Sequence, residues 1–249
     1  MLLLDIGNSR IKWAVTEGRT LARTGAIPHQ GDQSIPALLA REWDGIRPDT
    51  IHGISVAAPS VWRSLCHWCH AHWRLLPRRI TSPPADDVIR IAYADPARLG
   101  VDRWAAMTGG RARCSAPFLV IDCGTATTLD LVDESGRHLG GLITAGLDTL
   151  RAALGQRAHQ LARADAGVVA VLATDTATAI RSGTLLGQAA ALDGLIERIG
   201  DASPELQPVV LMTGGDAADL AARMKRPAYH HPHLVLEGLA DYLTRSESR

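Results

Sequence analysis

The chain is predicted to be an α/β protein built from two related halves. Two observations carry this. One acidic strand–turn–strand unit occurs twice, at the start of the chain and near its middle, and each copy is followed by an alternation of short apolar strands with helical segments. The first copy is LLLDIGNSRIKWAV, from Leu2 to Val15; the second is LVIDCGTATTLDLV, from Leu119 to Val132. Asp5 aligns with Asp122, Gly7 with Gly124, Asn8 with Thr125 and Val15 with Val132. With one inserted residue, Gly18-Arg19-Thr20-Leu21 falls opposite Gly136-Arg137-His138-Leu139. Each copy therefore reads as an apolar strand, an Asp-x-Gly turn, a second strand, a glycine-containing turn and a third strand, a β-meander whose first turn is acidic. The boundary falls near residue 115, giving a first domain over 1–115 and a second over 116–249.

The remaining elements follow in order. Thr50 to Ala57 reads as a strand, and Pro59 to His72 as a helix with proline in its first turn. Trp73 to Leu76 reads as a further short strand. Asp102 to Arg113 has helical spacing, with Asp102 at or near the N-cap. In the second half, Leu147 to Arg163 and Thr176 to Ile199 are helical. Val209 to Thr213 is a buried strand ending in Gly214-Gly215, Asp216 can cap the helix after it, and His233 to Thr244 is the last helix. On 176–199, Ile180, Leu185, Leu192, Leu195 and Ile196 make an apolar face suited to a core or to an interface.

Composition narrows the function. The chain has 249 residues, 46% of them apolar, which suits one large or two ordinary domains. The 26 basic and 26 acidic residues cancel, which argues against nucleic acid as a partner. No apolar run approaches the ~18 residues of a membrane span. Asp5 interrupts the N-terminal apolar run, and no basic region precedes it, so it does not read as a signal peptide. The expectation is a cytoplasmic protein with its four cysteines reduced.

The two acidic turns carry the chemistry. A carboxylate at a strand end beside glycine lets a ligand approach the backbone closely. The backbone N–H groups that follow, with small hydroxyl and amide side chains, can hold phosphate oxygens. The carboxylate itself repels phosphate and needs a divalent cation between them, usually Mg²⁺ with retained waters. Two such turns facing one another would grip a nucleoside triphosphate, and Gly214-Gly215 would allow close approach at its adenosine end. Lys12, one of only two lysines, lies on the strand after the first turn and can reach a phosphate as a point charge.

This arrangement resembles the superfamily of acetate and sugar kinases, heat-shock ATPases and actin. Within it the chain is similar to the type III pantothenate kinases. The stretches that carry the resemblance are Asp5-Ile6-Gly7-Asn8-Ser9-Arg10-Ile11-Lys12, Leu99-Gly100-Val101-Asp102-Arg103-Trp104, Asp122-Cys123-Gly124-Thr125-Ala126-Thr127-Thr128 and Thr176-Ala177-Thr178-Ala179-Ile180-Arg181-Ser182-Gly183. The resemblance implies two duplicated ribonuclease-H-like domains with a nucleotide cleft between them, and transfer of the ATP γ-phosphoryl group to pantothenate, the first step toward coenzyme A. It implies that Asp5 through Lys12 bind ATP, with Asp5 acting through Mg²⁺, and that Thr125 contacts phosphate. Asp102 matches the catalytic base. Arg103 is suited to the pantothenate carboxylate, and Tyr93, Gly100, Val101 and Thr176 match substrate-contacting positions. Asp122 matches a monovalent-cation site for K⁺ or NH₄⁺, where residue chemistry alone suggests Mg²⁺. A homodimer is also implied. Thr176 could equally be an N-cap, and Asp175 stands where a neutral asparagine is expected. A non-catalytic regulatory protein of the Bvg accessory factor type on the same scaffold is the competing reading. It is disfavoured by the retention of Asp5, Lys12, Asp102, Arg103, Asp122 and Thr125.

Two further patterns suggest metal or haem. Cys66-His67-Trp68-Cys69-His70 fits the C-x-x-C-H haem attachment pattern, and with His72 it could offer zinc ligands. Haem attachment goes with export, and four ligands on one short helix rarely close a tetrahedron, so a half-buried helix is the better account. His230, His231 and His233 around Pro232 read as a polar loop, and Cys114 and Cys123 as small core residues.

Overall fold

The computed structural model describes residues 1–29, 35–81, 88–157 and 168–247. In chain order the elements are β1 (Leu2–Ile6), β2 (Arg10–Glu17), β3 (Thr20–Pro28), α1 (Ile35–Glu42), β4 (Ile51–Ser55), α2 (Pro59–Trp73), β5 (Arg78–Arg79), a 3₁₀ turn (Pro96–Arg98), α3 (Val101–Arg113), β6 (Phe118–Cys123), β7 (Ala126–Val132), β8 (His138–Ala145), α4 (Leu147–Arg157), α5 (Thr176–Ala202), β9 (Val209–Thr213), α6 (Ala217–Ala221), β10 (Tyr229–His230) and α7 (Leu234–Glu247). They form two compact units. The first comprises Met1–Ser115, Gly136–His138 and His233–Arg249; the second comprises Ala116–Ser135 and Leu139–Pro232.

Among the described residues the strands form two five-stranded sheets of the same topology, β3-β2-β1-β4-β5 and β8-β7-β6-β9-β10. In each, the opening strand runs antiparallel to its successor and parallel to a later strand: β1 with β2 and β4, β6 with β7 and β9. The duplication expected from the two acidic turns is thus a duplication of whole sheets. The turns themselves differ by one residue. The Gly7 N–H donates to the Arg10 carbonyl, whereas the Gly124 N–H donates to the Ala126 carbonyl. Asp5 therefore pairs with Lys12, but Asp122 pairs with Thr128.

In the first unit every residue of β1 is buried. Leu2, Leu4 and Ile6 enter a core under α1 and α2 with Leu39, Leu65 and Trp68. Strand alternation sends Leu3 and Asp5 to the other face, the one covered by α7 and α3. Helix α2 begins with Pro59 in its first turn and ends where Arg74 turns left-handed, φ 59°, its N–H donating to the His70 carbonyl. Trp73 closes this helix instead of opening a strand. Its ring stacks on Trp43 at 5.4 Å and meets Trp68 edge-on at 5.0 Å, and the edge strand forms later at Arg78–Arg79. Helix α1 has no counterpart in the sequence reading.

The C-terminal helix packs with the first unit, whereas the sequence reading placed all of 116–249 in the second domain. Helices α3 and α7 cross at Gly109 and Gly238. A Cβ at Gly109 would overlap the Leu234 carbonyl, and one at Gly238 would overlap that of Ala105. Two helix-interior glycines let the backbones touch, and Arg113 closes the crossing with a two-pronged ion pair to Glu237 at 2.5 and 2.6 Å.

In the second unit α5 packs Leu185, Leu192 and Ile196 into a core with Leu119, Ile121 and Leu129 of β6 and β7. These three residues serve the core; Leu195 packs partly against it. The expected helix over 147–163 is seen as α4 to Arg157, and the rest of that range lies outside the described residues.

Candidate functional site

In the first unit the Asp5 turn is an exposed loop on a buried strand. Asp5 is only 8% exposed, while Asn8, Ser9 and Arg10 are open to solvent. Asp5 and Lys12 are cross-strand partners, so their side chains leave the sheet on one face as immediate neighbours. Ile6 and Ile11, the next pair, point the opposite way into the core. They support the turn from beneath and are not free to touch a ligand with their side chains.

His29, at the end of β3, holds this turn. Its Nε2 lies 2.9 Å from the Gly7 carbonyl, and its backbone N–H donates to the Ser9 carbonyl at 3.0 Å. A carbonyl only accepts, so Nε2 carries the proton. Nothing in the sequence pattern marks His29 as part of the loop, because strand pairing of β2 with β3 is what brings it there.

The second cluster of this unit stands at the start of α3. Gly100 is the N-cap and Asp102 lies in the first turn, two residues later than a capping aspartate would. The Asp102 Oδ1 accepts the Arg103 N–H at 2.9 Å. A Cβ on Gly100 would lie 2.5 Å from that same oxygen, so glycine is what leaves room for this carboxylate conformation. The helix N-terminus favours the ionised carboxylate. Arg103 is buried, and its guanidinium donates to the Tyr93 hydroxyl at 3.0 Å while lying over the Tyr93 ring. The Tyr93 ring stacks at 6.0 Å on that of His138. Asp95 then caps the 3₁₀ turn by accepting the Ala97 N–H at 3.1 Å, and Leu99 and Val101 bury themselves, fixing the approach to α3. Tyr93, Gly100, Val101, Asp102 and Arg103 thus lie in one local assembly.

In the second unit Asp122 lies one residue before the end of β6, between Thr128 of β7 and Thr213 of β9. Gly214 follows with φ +98°, and a Cβ there would overlap the Cys123 carbonyl and come within 2.6 Å of Asp122 Oδ1. Only glycine allows this backbone to run against the carboxylate. The Thr125 side chain stands exposed on the turn, while its carbonyl accepts the Gly146 N–H at 3.0 Å and the Thr149 hydroxyl at 2.6 Å. The start of α4 therefore fixes the second turn. Gly146 runs directly against the Gly124 carbonyl, with no room for a side chain.

Thr176 is the first residue of α5, and Asp175, not Thr176, is its N-cap. Asp175 accepts the Thr178 N–H at 2.9 Å. That bond, the Thr178 hydroxyl and the Ala177 N–H hold its exposed carboxyl below the usual range against a small opposing effect of burial. The unexpected acid is accounted for as a helix cap. Thr176 lines a largely apolar cavity of about 1090 Å³ between α4 and α5, with Leu150, Leu154, Ile180 and Gln188. Neither Asp122 nor Thr125 lines it. Gln188 connects it to the sheet by donating to Thr127 Oγ1 at 3.3 Å and to the Ala145 carbonyl at 3.2 Å.

Burial pushes the Cys69 thiol up to about 12, with Cys66 adding to the shift, and burial also raises Cys66 against the pull of Arg79. Neither is poised as the thiolate that a metal requires. Among the described residues, no group of three or more His, Cys, Asp and Glu is placed to hold a metal ion. His233 is drawn away to Thr24, 3.2 Å from its hydroxyl. Among the described residues no helix is long and apolar enough to cross a membrane.

Comparison with known proteins bears on this geometry. The family model for type III pantothenate kinase matches residues 1–198. A type III pantothenate kinase of Nitrosococcus oceani is 35% identical over 248 residues, covering 96% of this chain and 92% of its own. One from Halorhodospira halophila is 36% identical over 256 residues, covering 100% and 99%. Among solved structures, a Baf family transcriptional activator from Campylobacter jejuni superposes with a TM-score of 0.60 at 20% identity over the full length of both chains. The activator of 2-hydroxyisocaproyl-CoA dehydratase from Clostridium difficile, with bound ADPNP, superposes with a TM-score of 0.58 at 14% identity, covering 99% of this chain and 95% of its own. At these identities the structural matches establish the actin-like ATPase fold alone.

Proposed function

The chain belongs to the type III pantothenate kinase family and so is an ATP-dependent kinase of pantothenate, and we propose that the cluster at the start of α3 performs the transfer, with Asp102 as its base. The product is 4′-phosphopantothenate, made in the first step of coenzyme A biosynthesis. The observation that carries the assignment is the Gly100–Asp102–Arg103–Tyr93 assembly, in which the Asp102 carboxylate is fixed by the Arg103 backbone N–H and the Arg103 guanidinium is held by the Tyr93 hydroxyl.

In this reading the pantothenate primary hydroxyl attacks the γ-phosphorus. The new O–P bond forms as the bond to the β,γ-bridging oxygen breaks, and Asp102 accepts the hydroxyl proton. The transition state is loose, so positioning and charge neutralisation supply most of the rate. Arg103, its fork oriented by Tyr93, takes the pantothenate carboxylate. Val101 and Gly100 shape the approach, and Thr176 offers a hydroxyl at its own cavity.

The turn from Asp5 to Lys12 binds the ATP phosphates, with Asn8 and Ser9 side chains and Arg10 exposed along it. The nearly buried carboxylate of Asp5 at the head of this turn fits Mg²⁺, which commonly takes one or two carboxylates and completes its shell with phosphate oxygens and water. Asp5 would hold that cation, which would supply neutralisation of phosphate charge. Thr125 contacts phosphate from the second turn. Asp122, with the Gly214 backbone against it, suits a monovalent cation, K⁺ or NH₄⁺. We place the enzyme in the cytoplasm, which suits its four cysteines, none of them in a disulfide. We propose that it acts as a homodimer. Ile143, Leu154, Val171 and Leu172 of the second unit are exposed, an apolar content suited to a second copy of the chain.

The test is ADP release by purified protein with ATP, Mg²⁺ and K⁺. Release should depend on pantothenate. Asp102→Asn should lower kcat by about 10²–10⁴-fold, the usual contribution of a general base, while leaving ATP binding intact. ATP turnover indifferent to pantothenate overturns the acceptor. A mild loss in Asp102→Asn reduces that residue to a first-turn carboxylate of α3.

A further inference from the structure

We propose that His29 is a positioning residue for ATP, a buried clamp that sets the phosphate turn from beneath. The proposal rests on the reading of Asp5 to Lys12 as that turn. His29 is 6% exposed, so its imidazole is not itself presented to a ligand. It makes two hydrogen bonds to the turn, one from the ring and one from its own backbone. The first goes to the Gly7 carbonyl at 2.9 Å and the second to the Ser9 carbonyl at 3.0 Å.

The consequence follows from peptide geometry. Every peptide bond here is trans, and a trans peptide carries its C=O and N–H on opposite sides. Drawing the Gly7 and Ser9 carbonyls toward His29 turns the Asn8 and Arg10 N–H groups the other way. Backbone N–H groups turned to the same side are what an anion-binding turn requires. The Gly7 N–H is already committed to the Arg10 carbonyl at 3.0 Å. The turn is thus pinned at both ends, and its donors are ordered before any phosphate arrives. That pre-ordering lowers the entropy lost on binding.

The ring bond alone can be removed by substitution, because the backbone bond survives any side chain. His29→Leu fills the buried site but donates nothing to Gly7. His29→Gln can return an N–H near the position of Nε2. Three proteins are compared with the wild type in one steady-state and ATP-binding assay: His29→Leu, His29→Gln and Lys12→Met, each checked for native circular dichroism. The expected result is that His29→Leu weakens ATP binding and raises the ATP KM by about ten-fold, the size of one hydrogen bond of about 1.4 kcal/mol. The pantothenate KM should hold, and His29→Gln should recover most of the loss. Equal changes in both KM values, or no recovery in His29→Gln, overturn the clamp and leave His29 a packing residue. Unchanged ATP affinity in His29→Leu alongside a loss in Lys12→Met also overturns it, while keeping the phosphate turn. ATP binding unchanged in Lys12→Met removes the phosphate-turn reading, and the role of His29 goes with it.

Discussion

Replacing Gly100 by alanine tests whether the conformation of Asp102 matters, or only its presence. The alanine Cβ would lie 2.5 Å from Asp102 Oδ1. An ordinary carbon–oxygen contact needs about 3.3 Å, so the carboxylate must retreat by about 0.8 Å. That displacement exceeds the slack in its 2.9 Å bond from the Arg103 N–H, which would be lost. The backbone has no reason to object. Gly100 has φ −55° and ψ 130°, a region open to every residue, so the fold should tolerate alanine there. Loss of the glycine N-cap costs at most about 1 kcal/mol. A misplacement near 1 Å in a reacting group costs on the order of 10²-fold in rate. The expected outcome is a kcat lower by about 10–10²-fold, with ATP affinity and thermal midpoint close to wild type. A coupled ADP-release assay with saturating pantothenate measures the first, and calorimetric titration with ATP the second. Wild-type kcat in Gly100→Ala, beside a dead Asp102→Asn, would refute the reasoning: the carboxylate would then act equally well from another rotamer.

Three other outcomes are expected. Exchange of K⁺ for tetramethylammonium should depress kcat, and Asp122→Asn should remove the response to K⁺; a K⁺ dependence preserved in that variant moves the monovalent site elsewhere. Gly238→Ala gains about 1 kcal/mol of helix propensity but drives a methyl into the Ala105 carbonyl, a backbone atom that cannot step aside. Overpacking of this kind costs about 1–3 kcal/mol or more, so chemical denaturation should show net destabilisation, and a more stable variant would contradict the backbone-to-backbone crossing. The His52 pKa is held below the ordinary 6.5 by burial first and by Arg78 next, against Glu247. The unfolded chain therefore binds the proton at higher pH than the folded one. Stability contributed by neutral His52 is complete above about 6.5 and declines as pH falls toward the folded value, by no more than about 1.4 kcal/mol per pH unit. His52→Gln should flatten the denaturation-midpoint profile between pH 7 and 5, and an unchanged slope assigns the acid sensitivity to other groups.

What the sequence shows and hides follows a physical line. The β-meander that opens each sheet was legible because strand alternation and Asp-x-Gly turns are local. Asp5 and Asp122 announced two opening strands, and the sheets they open have the same order. Around Asp102 the hydrogen bonds are local too, made within the stretch from Tyr93 to Arg103, whereas the stacking of Tyr93 on His138 joins distant residues and no sequence pattern marks it. The caps were legible only to within a residue or two. Asp102, read as at or near the N-cap, follows the Gly100 cap by two residues, and the cap of α5 is Asp175 and not the alternative Thr176, because several residues in a row there are chemically able to cap. Helix α7 was assigned to the wrong unit. Its partner α3 lies more than a hundred residues away, and the feature that joins them, Gly109 against Gly238, looks in sequence like two helix-weakening glycines. Trp73 has the apolar, aromatic character of a strand residue, and only the Trp43 and Trp68 rings explain why it ends a helix.

The two acidic turns sit on strands of the same topology but have different supports, and this bears on what each can do. The first is held by a side chain from its own meander: His29 bonds to Gly7 and Ser9. The second is one residue shorter and is held by the helix that follows its meander, through Gly146 and Thr149 on the Thr125 carbonyl. A longer turn clamped at two carbonyls keeps more backbone N–H groups available, which suits a polyphosphate. A shorter turn beside Gly214, whose φ of +98° brings backbone against Asp122, gathers a carboxylate with little room around it. That crowding suits a single ion better than a chain of phosphates. Residue chemistry alone gave Asp5 and Asp122 the same role. The difference in turn length and in what braces each turn is a physical difference that agrees with the proposal of different cations at the two carboxylates.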